Sequence, residues 1–207
     1  MKRILTISQT FIIAFIALAG FQAMSVGSVS AQQLKPAVIA VIDSRRLFSE
    51  SLVSKDIRDQ LTSISQTFAA EENKVKEELL AEKQQIDSQK SLMAQEAYED
   101  KYAQLKARAD QLNRKADIHQ KQLNVAQVRA NRELQRVLTP IIQKVSDKRG
   151  ATIVLEKAQI VHQQAGLDIT TEVVESLDRE LPTLKVELPS ESEILEMERQ
   201  ARSGAAQ

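Results

Sequence analysis

Cysteine and tryptophan are absent from the 207 residues, so thiol nucleophiles, disulfide staples and thiolate metal sites are all excluded. Aromatic residues make up only 3%, and five glycines with four prolines supply too few turns for most compact all-β folds. Charge of one sign is missing as well. Lys+Arg and Asp+Glu number 28 each, which leaves no basic excess to neutralise a nucleic-acid backbone, and no nucleic-acid partner is expected. Neither a GxGxxG run nor a P-loop occurs, so no nucleotide cofactor is expected. The only histidines, His119 and His162, have no cysteine to pair with and no glycine-framed serine nearby. We expect no catalytic residue, no cofactor and no metal site, and hence no enzyme.

What the chain does contain is Ala, Leu, Gln, Lys and Glu, the composition of long exposed helices. Its N-terminus is a separate object. Lys2 and Arg3 precede the apolar run Phe11 to Phe21, and Val29-Ser30-Ala31 fits the small-x-small rule for signal peptidase. Residues 1–31 are expected to be a cleaved signal peptide, with the mature chain starting at Gln32. That export places the protein in the periplasm.

No glycine or proline occurs between Ala37 and Thr139, which predicts very long helix. Tyr98, Tyr102, Leu105, Ala109, Leu112, Ala116, His119, Leu123, Ala126 and Ala130 alternate steps of four and three, a heptad seam in which alanine fills four of the ten positions. Ile57, Leu61, Ile64 and Phe68 keep the same step before Glu71 falls on the seam and Val75, Leu79 and Ile86 resume it in a shifted register. Arg45 to Asp100 holds 8 bases and 12 acids, whereas Lys101 to Arg149 holds 12 bases and 4 acids. Opposite signs on successive helices suit an antiparallel hairpin, and Asp87 to Ala94 (DSQKSLMA) is the expected reversal. Residues 44–149 thus form a helical-hairpin arm. Leu92, Met93, Tyr98 and Tyr102, close to its tip, have least to bury against and are the candidate client-facing groups.

Short apolar, β-branched runs flank the arm. Val38, Ile39, Val41 and Ile42 lie in one strand closed by Asp43-Ser44; Ile153, Val154 and Leu155 lie in a second; Ile160 and Val161 are expected in a third, pairing with the second. Gly150 should stop the return helix, and Asp168 should cap an amphipathic helix that ends at Pro182. Residues 32–43 and 150–182 make a small β/α body. Three strands from one chain cannot bury both faces alone, so these nine apolar residues are the expected oligomerisation core. For the tail, 183–207, a short helix capped by Ser190 with Glu193 and a disordered extension are both open. The fold class is mainly α: a long antiparallel coiled-coil arm emerging from a small oligomeric β core.

IAVIDSRRLFSES (Ile39 to Ser51), the long charged middle and ATIVLEKAQIVHQQAGLDITTEVVESLD (Ala151 to Asp178) together resemble the Skp (OmpH-like) family of periplasmic chaperones. Arg45, Leu47 and Phe48 after the first strand, and the Leu-Asp-Ile-Thr helix opening, carry the likeness. The resemblance implies a homotrimer whose arms surround a cavity holding unfolded outer-membrane β-barrel proteins without ATP. It leaves membrane contact open. Familiar members are strongly basic, whereas this mature chain is slightly acidic. The competing reading is a structural coiled-coil spacer or adaptor in the envelope that binds one folded partner.

Overall fold

A computed structural model describes residues 36–204, so the expected signal peptide lies outside the described residues. Strand β1 (Ile39–Ile42) leads into helix α1 (Ser44–Glu50), helix α2 (Leu52–Gln89), a 3-10 turn (Lys90–Leu92) and helix α3 (Gln95–Lys148). Strand β2 (Ile153–Glu156), a second 3-10 turn (Lys157–Gln159), helix α4 (Thr170–Glu180) and helix α5 (Glu191–Gly204) follow. At 38 and 54 residues, α2 and α3 run about 57 and 81 Å. They fold back on one another as the arm, and the reversal falls within the segment anticipated from the sequence.

The two strands pair in parallel, with Ile39 opposite Ile153 and Ile42 opposite Glu156. On its other edge β1 exchanges bonds with the segment before α4: Val41 N–H reaches Leu167 O at 2.8 Å and Ile169 N–H reaches Val41 O at 2.9 Å. This corrects the expected third strand. Ile160 to His162 forms no strand and Val161 is fully exposed; the sheet is extended not beyond β2 but on the other side of β1, by Leu167 to Ile169. The start of α4 shifts similarly: Ile169 occupies the cap position, while the Asp168 carboxylate accepts the Thr170 N–H at 2.9 Å.

Local chemistry sets the element ends. Asp43 caps α1 by accepting the Arg46 N–H at 3.0 Å. Ser51 is extended and separates α1 from α2, and the free Leu52 N–H at the start of α2 is satisfied from α4 by Asp178 Oδ1 at 2.8 Å. Gly150 stops α3 at φ 68°, a conformation that glycine adopts without cost, and the Ala151 N–H returns to Ser146 O at 2.9 Å.

One large apolar cluster sits at the base of the arm. It joins Ala40 and Ile42 of β1, Val53 and Ile57 of α2, Leu134 and Ile141 of α3, and Val173 and Leu177 of α4. A second, smaller cluster of Leu79, Ile86, Leu105 and Leu112 fills the distal arm. Between them lies a polar station. His119 is buried and stacks on Phe68 with ring centroids 3.8 Å apart, and its Nδ1 lies 3.0 Å from Glu72 Oε1. Glu72 rather than Glu71 therefore points inward; Glu71 stays exposed and meets Lys115 Nζ at 3.1 Å. Arg108 likewise reaches across to Glu78 and Glu82, so the acid-rich and base-rich helices do pair along their flanks.

Residues 183–204 of the tail are ordered. Residues 183–190 run along the arm base and α5 packs against α3, where Ile194 is buried and Glu193 and Glu198 pair with Arg129 and Lys121. Of the two possibilities left open by the sequence, the helix forms, and Ser190 Oγ accepts the Glu193 N–H at 3.2 Å.

Leu177 is wholly buried where α4 meets the arm. Leu177→Ala should cost about 2–5 kcal/mol through lost burial and the cavity left behind. Thermal unfolding followed by circular dichroism should show the lowered midpoint, whereas Leu80→Ala at an exposed position on α2 should leave it nearly unchanged.

Candidate functional site

The arm tip is built by the 3-10 turn that ends α2 and by the extended backbone of Met93 before α3. This geometry pushes Leu92 outward, leaving it 85% exposed, with Tyr102 exposed on the first turns of α3 and Met93 half-buried. Tyr98 is different. It packs against the distal apolar cluster, lies under Lys90 Nζ at 4.9 Å from its ring centroid, and contacts Tyr102 at 5.7 Å between centroids. All four residues named from the sequence therefore gather at one end of the arm, but only Leu92 presents most of its surface to solvent, with Tyr102 exposed to a lesser degree.

The nine residues expected to drive oligomerisation divide in two. Val41 and Ile42 are buried within the protomer and Val154 is half-buried against the same core, so these hold the body itself together. Val38, Ile39, Ile153 and Leu155 are exposed. In the parallel register Ile39 lies beside Ile153, and Ile153 and Leu155 alternate outward along β2, so these three share one apolar face, with Val38 exposed just before β1. Ile160 is half-buried beyond β2 and Val161 stands free in the loop.

At the C-terminal end of β1 a polar cluster ties the body to the arm. Ser44 donates to Glu156 Oε2 at 2.6 Å, the Asp43 N–H donates to Thr170 Oγ1 at 2.9 Å, and Lys157 lies 3.3 Å from Asp43 and 3.8 Å from Asp168. Hydrogen bonding from the Arg46 amide, with help from Lys157, holds the Asp43 carboxyl below its ordinary range. Burial pushes Asp168 up, but the Thr170 hydroxyl and amide together with Lys157 outweigh it, and its net shift is downward. These groups spend their bonding capacity on caps and strand ends. The cluster is structural, and among the described residues no group of three or more His, Cys, Asp or Glu is arranged to hold a metal ion.

The extended segment 183–189, ahead of the tail helix, was the feature that the sequence reading missed. Leu184, Val186 and Leu188 alternate with Thr183, Lys185 and Glu187 between two prolines, a period-two pattern that marks an extended apolar edge. Leu184 and Val186 do enter the basal core.

A two-helix arm rising from a parallel strand pair, with uncovered apolar side chains at its tip and on its sheet, defines a class of helical-hairpin proteins. Residues 38–177 match the model of the outer membrane protein (OmpH-like) family, and the chain belongs to that family. Among solved structures it is similar to an OmpH-like protein of Caulobacter crescentus CB15 assigned as an outer membrane chaperone. The two share 27% identity with a TM-score of 0.71, over 76% of this chain and 93% of that one. No curated protein matches the chain.

Because the Asp43 carboxyl ionises more readily in the folded state, its contribution to stability is present above the unfolded value, about 3.9, and is lost as pH falls through the lower folded one. Asp43→Ala should lower the thermal midpoint at neutral pH. The gap to the unmodified protein should narrow as pH falls below the unfolded value, about 3.9, and melting curves at successively lower pH will show it.

Proposed function

We propose that the protein is an ATP-independent periplasmic holdase that keeps unfolded outer-membrane β-barrel proteins soluble in transit. The observation that carries this reading is the uncovered apolar tip. Leu92 stands 85% exposed at the end of an arm whose seam is thin, with Ala126, Ala130 and His119 among its buried positions. A rigid spacer would gain from large branched residues at those positions; a holding arm gains from shallow contacts and compliance. Membership of the OmpH-like family and the assignment of the Caulobacter crescentus relative support it. The exposed face of Ile39, Ile153 and Leu155, with Val38 exposed at its edge, suits a homotrimer, each copy covering the next. Leu92, Met93, Tyr98 and Tyr102 would touch the client. No nucleotide, cofactor or catalytic step is part of this reading, and membrane contact is no part of it either.

Client binding should depend little on salt. The arm from Arg45 to Arg149 carries 20 bases and 16 acids, and Arg108 and Lys115 are engaged by glutamates of α2. A denatured outer-membrane barrel should stay soluble with the full mature chain, and Leu92→Ser with Tyr102→Ser should cost at least about tenfold in affinity, a loss of about 1.4 kcal/mol. Light scattering of the barrel and fluorescence titration measure both. A fall of two or more orders of magnitude between about 50 and 200 mM salt would assign the holding to ionic contacts instead.

The two faces of β2 separate assembly from folding. Ile153→Asp should leave a folded protomer of reduced oligomeric mass, while Val154→Asp puts a charge beside the protomer core and should unfold the body. Multi-angle light scattering with circular dichroism distinguishes the outcomes; a folded monomer from the unmodified chain would overturn the trimer.

A further inference from the structure

The family match ends at residue 177, and the chain beyond α4 does something that the family model does not cover. From Thr183 to Ser190 it follows the arm base without regular secondary structure. Leu184 is half-buried and Val186 is 8% exposed, both against the basal core, while Thr183, Lys185 and Glu187 point to solvent. Alternation of this kind belongs to extended backbone.

The same alternate residues present their amides to α2. The Leu184 N–H donates to Asp56 Oδ2 at 3.0 Å and the Val186 N–H to Gln60 Oε1 at 2.9 Å. Gln60 Nε2 in turn donates to Leu184 O at 2.9 Å and to Asp56 Oδ2 at 2.8 Å. From α3, Gln122 Nε2 donates to Pro189 O at 2.7 Å. Asp56 and Gln60 stand one helical turn apart, about 6 Å along the axis. Two residues of extended chain span about 6.6 Å. A helix face is thus in register with a strand, two polar side chains standing in for its missing neighbour. Asp56, Gln60 and Gln122 all reach backbone atoms of the segment. What this groove selects is an extended chain with apolar side chains at two alternate positions, Leu184 and Val186 here, beyond which Leu188 turns toward solvent and Pro189 is buried instead.

That specification is also the pattern of a membrane-spanning β-strand, apolar on the lipid side and polar on the other. We propose that the groove along Asp56 and Gln60 is a binding site for extended, alternating segments of unfolded β-barrel proteins, and that residues 183–189 are its built-in occupant, displaced when a client segment enters. The inference rests on the chaperone reading and adds to it a second contact region, at the base of the arm rather than its tip. The strap is anchored at both ends, by α4 before it and by α5 after it, where Ile194 is buried and Glu193 and Glu198 pair with α3. A displaced strap therefore stays at high local concentration and re-enters as the client leaves. Exchange of one extended segment for another provides release without a nucleotide.

The test uses the full mature chain. Because the protein has no cysteine, Lys185→Cys places one fluorophore on the solvent side of the strap. The probe is a short synthetic peptide alternating valine and threonine, compared with an isomer of the same composition whose valines form one block. The alternating peptide should lower the anisotropy of the strap label saturably, and the block isomer should need at least about tenfold more peptide to match it. Leu184→Ser with Val186→Ser empties the groove without altering α2; a strap that occupies it roughly nine-tenths of the time implies about tenfold tighter peptide binding once released. In a chain with Asp56→Ala and Gln60→Ala the label should be mobile from the start and unresponsive to peptide. The proposal is overturned if labelled peptide binds while the strap signal stays constant, or if releasing the strap leaves peptide affinity unchanged. The barrel-solubility assay on the same unmodified protein keeps the two readings apart: solubility without strap displacement defeats this inference alone, whereas loss of solubility defeats the chaperone reading.

Discussion

Parallel pairing of β1 with β2 is the constraint on which the remaining architecture depends. Two parallel strands cannot be joined by a tight turn, because the chain must travel back to the starting end before it can run in the same direction again. In most folds one helix makes that return. Here the crossover is the whole arm, out along α2 and back along α3. The helices differ by 16 residues, 54 against 38, and the overhang of roughly 24 Å carries α3 past α1 and alongside α4. A functional appendage is thus also the topological link of the sheet, and the body cannot form until the arm has folded back.

Closure of so long a crossover calls for guidance along its length, which the charge asymmetry supplies. Arg108 and Lys115 stand seven residues apart on α3 and meet Glu78 and Glu71, also seven apart on α2. Each exposed pair contributes little, about 0.2–1 kcal/mol. Their value lies in register, since a slip by one residue would move every pair off its partner. Stability comes instead from the basal core. Leu134, Ile141, Val173 and Leu177 converge there, so the arm is secured at one end and only lightly zipped at the other.

The hairpin, its tip, the first two strands and the glycine stop were legible in the sequence, because each rests on a local signal: heptad spacing, a polar cluster, β-branched runs, a residue free to adopt positive φ. The failures share a cause of the opposite kind. Ile160 and Val161 have the composition of a strand, but the 3-10 turn Lys157–Gln159 intervenes between them and β2, and the sheet is extended on the β1 side by Leu167 to Ile169, a tertiary choice that no local signal announces. The seam position of Glu71 was off by one because Phe68 and His119 stack and draw Glu72 inward instead. Among the candidate site residues, Tyr98 was named for exposure yet shares its ring with the distal core. The strap could not be placed at all without knowing that Asp56 and Gln60, more than a hundred residues earlier in the chain, would face it.

The polar station at Phe68, Glu72 and His119 divides the arm mechanically. A beam bends where its cross-section is weakest, and opening the arm at this point disturbs one stacked pair and one hydrogen bond, whereas opening it at the base would breach the main core. Both helices run unbroken through this point, so what the station weakens is the seam between them rather than either helix: the distal halves, held by their own small cluster, can part while the base stays closed.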